Sequence, residues 1–122
     1  MSLTQLLKSF RYAFRGFGHL WRSEQNFRLQ VLAGALALAA AWILPLLVWQ
    51  RITIVLLVAM VLVLEIINSV IERLADVLKS RIHPSVRDMK DMMATAVLLA
   101  SFVALLIGGI ILYPYLVQLW ME

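Results

Sequence analysis

The chain has 122 residues, of which 63% are hydrophobic and 15% are charged, and it contains no cysteine. A soluble globular domain is about 45–50% apolar, so a single domain of this composition has too few polar residues to cover its apolar surface. The composition disfavours a soluble fold, and the lack of cysteine excludes disulfides and thiolate metal sites. We interpret the net charge of +4 as basic residues that set the orientation in the membrane and face anionic lipid. It does not indicate a nucleic-acid partner.

Residues 1–29 are predicted to form an amphipathic helix on the cytoplasmic surface of a membrane. Apolar residues recur at helical spacing, while basic residues share another face. The apolar set is Leu3, Leu6, Leu7, Phe10, Phe14, Phe17 and Trp21, and the basic set is Lys8, Arg11, Arg15 and Arg22. A plain basic anchor with no further role is the alternative for this segment.

Three apolar segments approach the roughly 20 residues that a helix needs to cross a bilayer. They are residues 31–49, residues 52–71 and residues 92–112, and the second helix is predicted to extend to about residue 79. Pro45 predicts a kink or an end of the first helix, and residues 80–91 are predicted to form a cytoplasmic loop. The chain is therefore predicted to be an all-α integral membrane protein with three spans and one surface helix.

The basic residues predict the orientation of the spans. Five precede the first span and five separate the second from the third: Lys8, Arg11, Arg15, Arg22 and Arg28, then Arg73, Lys79, Arg81, Arg87 and Lys90. The connection between the first two spans holds only Arg51. The N-terminus and the second loop are thus predicted to face the cytoplasm, with the C-terminus on the outer side.

The second span carries a stripe of polar residues. Glu65, Asn68, Glu72 and Asp76 fall within about 80° of the helix circumference. Charged groups at membrane depth are costly, so an aligned set in an apolar helix indicates function. Two carboxylates suit Mg²⁺ with nucleotide phosphates, and a deeper one suits removal of a proton from a lipid hydroxyl. For Asp76 alone, solvation beyond the membrane edge is the alternative.

Further charged residues near this stripe suggest a site for phosphoryl transfer. Arg81, Arg87 and Lys90 follow it in the loop, and Glu24 is the one acid among the N-terminal cations. Glu24 reaches the same interface if the surface helix folds back against the spans. No Walker A motif or protein-kinase glycine loop is present, so a nucleotide site would be of another kind.

Several short motifs surround these residues. They are F-R-Y-A-F-R-G-F at 10–17, W-R-S-E-Q-N-F-R-L-Q at 21–30, E-I-I-N-S-V-I-E-R-L-A-D at 65–76, H-P at 83–84 and K-D at 90–91. Together they resemble the prokaryotic diacylglycerol kinase family, which also includes the undecaprenol kinases. The resemblance covers about residues 6–101, and it implies a homotrimer with active sites shared between neighbouring protomers.

The resemblance implies a role for each matching residue. Glu65 would be the catalytic base, held in place by Asn68. Glu24 and Glu72 would bind the Mg²⁺ that bridges the phosphates of ATP. The residues implied to lie around the nucleotide are Tyr12, Asp76, His83, Lys90 and Asp91. A histidine before proline is also a common turn residue, so both roles stay open for His83. The implied reaction is ATP-dependent phosphorylation of a lipid's primary hydroxyl at the inner membrane of a bacterium.

Three positions depart from the family pattern. Gln5 stands where arginine is common, Gln30 where many diacylglycerol kinases carry a second acid, and Asp88 where a basic residue is frequent. None of them is a proposed base or metal ligand. The N-F-R-L-Q run at 26–30 and the H-P pair at 83–84 slightly favour undecaprenol over diacylglycerol as the substrate.

Two other classes of membrane protein remain as alternatives. A small multidrug transporter also uses an embedded glutamate, but it is expected to have four spans with the acid near mid-membrane. A catalytically silent assembly subunit would have no reason to align Glu65, Asn68 and Glu72, or to keep Glu24. Three spans with acids at the cytoplasmic end favour the kinase over both.

Overall fold

The computed structural model describes residues 2–78 and 84–122. These residues form four helices: α1 at Leu3–Ser23, α2 at Gln25–Ile43, α3 at Val48–Leu78 and α4 at Pro84–Met121. The last three are long and apolar enough to cross a bilayer. Many of their large apolar side chains point outward, as with Leu36 and Leu105, which are 73% and 77% exposed. The all-α fold with three long apolar helices is confirmed, and its apolar exterior is that of a membrane protein.

The first helix, α1, begins with a capping box. The Ser2 hydroxyl accepts a hydrogen bond from the Gln5 N–H, and Gln5 Oε1 accepts one from the Ser2 N–H, both at 3.1 Å. Gln5, a departure from the family pattern, therefore stabilises the first turn of α1. No residue of α1 is buried, and its Phe17 ring packs edge-on against Phe27 of α2, with centroids 5.4 Å apart.

The first long helix lies nearer the N-terminus than the span predicted at 31–49. Helix α2 ends at Ile43 because Pro45 has no N–H to donate and restricts the residue before it. The chain is unwound from Leu44 to Leu47. At its other end α2 begins at Gln25, so Glu24 is the single residue between α1 and α2. The segment predicted as one surface helix at 1–29 is thus divided at Glu24.

The unwound turn between α2 and α3 is held by polar contacts from α3 and α4. Arg51 Nε donates to the carbonyl of Ala41 at 2.8 Å, and its Nη2 donates to the carbonyl of Leu44 at 3.1 Å. The Tyr115 hydroxyl donates to Gln50 Oε1 at 2.6 Å. Apolar side chains are buried together beside this turn: Ala41, Leu44, Leu46, Ile54 and Ile111. We call this part of the helix bundle the turn end.

The central helix is α3, which packs against both α2 and α4. Gly34 of α2 allows a close approach, because a Cβ at that position would lie 2.8 Å from Val58 Cγ1. The 31 residues of α3 span about 46 Å, well beyond a hydrocarbon core of ~30 Å. The polar stripe lies in its C-terminal half, at the opposite end of the bundle from the turn. We call this the acidic end.

Candidate active site

The polar stripe of α3 is partly enclosed by the protein. Glu65 and Asn68 are only 3% and 8% exposed. Glu72 is half-buried and Asp76 is exposed, so burial decreases along the stripe toward the end of α3. A carboxylate held this deep in an apolar helix loses the water that stabilises its charge, and such groups persist where function requires them.

Hydrogen bonds link the stripe residues one turn apart. Asn68 Nδ2 donates to Glu72 Oε1 at 3.2 Å, and the Ser69 hydroxyl donates to the backbone carbonyl of Glu65 at 3.0 Å. Within residues 2–78 and 84–122, the buried Asn68 Oδ1 has no hydrogen-bond partner. An unpaired buried acceptor costs stability, so this amide oxygen is available to a donor that binds beside Glu65.

Glu24 approaches the stripe from the junction of α1 and α2. Its Oε1 lies 3.6 Å from Arg73 Nη2, which places it beside α3, as the folding-back of the surface helix requires. The negative charges of Glu24 and Glu72 both lie close enough to Glu65 to repel a negative charge on its carboxyl group. In the described part of the chain, no three histidine, cysteine or acidic side chains form a complete metal site by themselves. Oxygen ligands from phosphates or water would have to complete any site for a divalent cation.

The K-D pair lies in the N-terminal part of α4 at the acidic end. Helix α4 begins at Pro84, so these two residues are helical, whereas the sequence predicted them in a loop at 80–91; proline is well tolerated in the first turn of a helix. Lys90 Nζ lies 3.6 Å from Asp76 Oδ1, so the antiparallel packing of α3 and α4 joins two residues of the predicted nucleotide site. Lys90 is half-buried and Asp91 is exposed. The carbonyl of Asp91 accepts a hydrogen bond from Thr95 Oγ1 at 3.0 Å.

Other predicted site residues lie apart from this cluster. Tyr12 is 60% exposed on α1, about 18 Å along the helix from Glu24, with the Arg15 guanidinium 5.6 Å from its ring centroid. Within one chain, the structure does not bring Tyr12 to the acidic stripe. His83, like Lys79 and Arg81, falls outside the described residues.

Arg73 is a contact residue that the sequence alone did not single out. Its basic character only counted toward the predicted topology, although it follows Glu72 directly in α3. In the structure its guanidinium contacts His19 Nε2 and lies 2.7 Å from the Ser23 hydroxyl, in addition to its pairing with Glu24. These partners lie about 50 positions earlier in the chain, so no local spacing could have revealed them.

An apolar cavity lies next to the stripe, between α2, α3 and α4. Its volume is about 330 Å³, and its walls include Gly34, Val61 and Gly108. Val61 lies one helical turn before Glu65, toward the turn end. The polar groups in the wall are Gln30 and Ser101, joined by a hydrogen bond of 3.4 Å. Gln30 thus bonds to α4 across the cavity.

The fold and this cluster together define a small helical membrane protein with a buried carboxylate at one end of its spans. The sequence profile of the prokaryotic diacylglycerol kinase family matches residues 11–112. A diacylglycerol kinase from Synechocystis sp. is 34% identical over 115 residues, which are 93% of this chain and 66% of that protein. The chain thus spans about two thirds of the length of that relative.

Two further relatives are matched over most of their own length. An undecaprenol kinase from Bacillus subtilis is 31% identical over 114 residues, covering 93% of both chains. A diacylglycerol kinase from Escherichia coli K12 is 32% identical over 112 residues, covering 92% of both. The chain belongs to the prokaryotic diacylglycerol kinase family. This membership confirms the resemblance seen in the motifs and favours a lipid kinase over a transporter or an assembly subunit.

Proposed function

We propose that this protein transfers the γ-phosphoryl group of MgATP to the primary hydroxyl of a membrane lipid. The observation that carries the proposal is the buried carboxylate of Glu65 on the same face as the linked pair of Asn68 and Glu72. Membership of a family of lipid kinases supports the same reaction. Direct in-line transfer is proposed, because no activated serine, cysteine or histidine nucleophile is evident at the stripe.

Glu65 is proposed to accept the proton of the lipid hydroxyl. A general base must lie within hydrogen-bonding reach of the proton it removes, so the proposal requires the lipid hydroxyl to enter beside Glu65 at headgroup level. Asn68 fits a supporting role, because its Nδ2 already donates to Glu72 while its Oδ1 has no partner among the described residues. That oxygen can accept a hydrogen bond from the lipid hydroxyl or from water and so help to orient it.

Glu24 and Glu72 are proposed to bind Mg²⁺. Carboxylate oxygens are the ligands that Mg²⁺ prefers, and this ion usually keeps several waters and takes others from phosphates. Two carboxylates, one from the junction of α1 and α2 and one from α3, therefore fit the donor set, and a third protein ligand is not needed. Mg²⁺ held there would neutralise charge on the β- and γ-phosphates during transfer.

The nucleotide is proposed to lie along the exposed part of the stripe. Lys90 would contact a phosphate, a role supported by its place beside Asp76. Asp76 and Asp91 would support the nucleotide beyond the phosphates, and His83 is proposed to reach it from the loop. Tyr12 would line the nucleotide side of the site. Since α1 holds Tyr12 away from the stripe of its own chain, this role fits a site completed by a neighbouring protomer of a homotrimer.

Undecaprenol is the proposed lipid in preference to diacylglycerol. Its hydroxyl terminates a single prenyl chain, whereas diacylglycerol must place two acyl chains. The cavity of about 330 Å³, which reaches Val61 one helical turn before Glu65, is apolar and suits a short length of one chain. The N-F-R-L-Q run at 26–30 and the H-P pair at 83–84 favour the same lipid, and diacylglycerol remains the alternative substrate.

The acidic end is proposed to face the cytoplasm of a bacterium, where ATP is available. The basic residues that flank this end support the orientation, with α1 lying in the membrane interface and its Leu7 and Phe14, which are 60% and 73% exposed, inserted among lipids. The turn end would then lie on the outer side, together with the C-terminus.

The direct test is phosphate transfer by purified protein in mixed micelles containing undecaprenol or diacylglycerol. We expect MgATP-dependent phosphorylation, faster with undecaprenol, and loss of it in Glu72→Ala. Faster turnover of diacylglycerol would reverse the lipid preference while keeping the kinase. If well-folded protein phosphorylated neither lipid, the proposed activity would be wrong.

A further inference from the structure

The Arg73 side chain joins α1 to α3 at the acidic end. Its Nη2 donates to the Ser23 hydroxyl at 2.7 Å and lies 3.6 Å from Glu24 Oε1, while its Nη1 contacts Nε2 of His19. Within residues 2–78 and 84–122, every hydrogen bond between α1 and α3 involves this guanidinium. The three partners lie on the last turns of α1 and at its junction with α2, so one side chain connects this part of the chain to α3.

A second arginine, Arg28, joins the end of α1 to α2 and not to α3. Arg28 of α2 donates through Nη1 to the carbonyls of Trp21 and Arg22, at 2.7 and 3.3 Å. These bonds cap the end of α1 and set its angle to α2. They do not connect either helix to Glu72 on α3. That connection is supplied by Arg73, which is the next residue after Glu72.

We infer that Arg73 is a positioning residue for the divalent-metal site, which holds Glu24 beside Glu72 before MgATP binds. The inference rests on the proposed function, since the metal site is part of it. Because Glu24 directly follows the last residue of α1, a contact that holds the end of α1 against α3 also limits where the Glu24 carboxylate can lie. The positive charge of Arg73 also offsets the mutual repulsion of Glu24, Glu65 and Glu72.

The geometry of the guanidinium matters more here than its charge. The side chains of Arg73 and Glu24 are 41% and 24% exposed, and an exposed ion pair contributes little by itself. A planar guanidinium, however, presents several donors in a fixed arrangement and can bind His19, Ser23 and Glu24 together. An ammonium group keeps the charge but lacks this fixed fork. Lysine at position 73 should therefore fail to replace arginine.

The test is Mn²⁺ binding by purified protein in nanodiscs, measured by electron paramagnetic resonance without ATP or lipid substrate. Arg73→Ala and Arg73→Lys should both weaken Mn²⁺ binding about tenfold, the lower end of the loss that follows when an outer partner of a metal ligand is replaced. Ser23→Ala, which removes one contact only, should have a smaller effect in the same direction. Arg22→Ala is the matched control, because it removes a neighbouring cation of α1 and should leave binding unchanged.

A second readout follows α1 directly. The chain has no cysteine, so a spin label attached to Ala13→Cys, an exposed position of α1, reports on this helix alone. In metal-free protein the label should become more mobile with Arg73→Ala and stay unchanged with Arg22→Ala. A purely structural anchor without influence on the metal site would change the label but not Mn²⁺ binding.

The two readouts separate positioning from simple charge competition. If Arg73 only competed with the metal for Glu24, Arg73→Ala would tighten Mn²⁺ binding and the inference would be wrong. Unchanged Mn²⁺ binding or an unchanged label would overturn it as well. Neither measurement requires turnover, so a protein that binds Mn²⁺ through this site but phosphorylates no lipid would refute the proposed activity and leave the role of Arg73 intact.

Discussion

The two ends of the helix bundle use their polar residues differently. At the turn end, Arg51 and Tyr115 both donate to acceptors of the unwound segment or its flank, and these bonds complete the fold. At the acidic end, Glu65 is buried near other acids, and the Asn68 amide oxygen has no partner in the described part of the chain. Paired groups stabilise a fold, whereas unpaired or mutually repelling groups cost stability. The difference shows that a polar residue in a membrane helix indicates function only after its hydrogen-bond and charge partners are known.

The largest expected effect comes from replacing the proposed base. Glu65→Gln keeps the shape of the side chain but removes the group that accepts the proton, so kcat should fall about 1,000-fold. Binding of MgATP, measured by calorimetry, should change little. The variant should also unfold no more easily than the wild type, because it removes a buried acid near two others. Wild-type turnover, or a marked loss of stability, would break the contrast between the ends.

A smaller effect is expected where α2 and α3 approach each other between the two ends. Gly34→Ala places a methyl group 2.8 Å from Val58 Cγ1, and such overpacking typically costs about 1–3 kcal/mol. Gly109→Ala is the matched control, since a Cβ there meets nothing within 4 Å. The free energy of unfolding in detergent should fall for the first variant and not for the second. Equal stability of the two would mean that α2 and α3 are not in close contact at Gly34.

The smallest of these effects is expected at the turn end. Arg51→Ala removes two bonds to the carbonyls of Ala41 and Leu44, which should cost about 1–2 kcal/mol of stability. Turnover below the unfolding temperature should stay at the wild-type value. A lowered kcat in folded Arg51→Ala would show that the two ends are coupled, and the assignment of stability to one and chemistry to the other would fail.

Features contained in a single helix could be predicted from the sequence. The alignment of Glu65, Asn68 and Glu72 follows from helical geometry alone, and the structure buries the first two and links the last two. The three apolar helices follow from length and composition. The start and end of α2 were predicted about six residues late, because the apolar run continues past Pro45 while the helix stops before it.

Features that depend on distant contacts could not be predicted in the same way. The place of Glu24 beside α3 required the break between α1 and α2 and the contact with Arg73. The bond between Gln30 and Ser101 joins residues 71 positions apart. Neither is encoded by periodicity, since each depends on how helices pack. The homotrimer stays a prediction of the family resemblance, as do the roles of Tyr12 and His83.

The length of α3 has a consequence for how two unlike reactants can meet. Asp76 lies eleven positions after Glu65, so one continuous helix holds these carboxylates about 16 Å apart along its axis. A helix is stiff over that distance, so α3 fixes the spacing between a buried carboxylate and an exposed one. Under the proposed function, the lipid chain stays in the hydrocarbon of the membrane, while the nucleotide stays in the aqueous phase. Only the travelling phosphoryl group crosses the boundary between them.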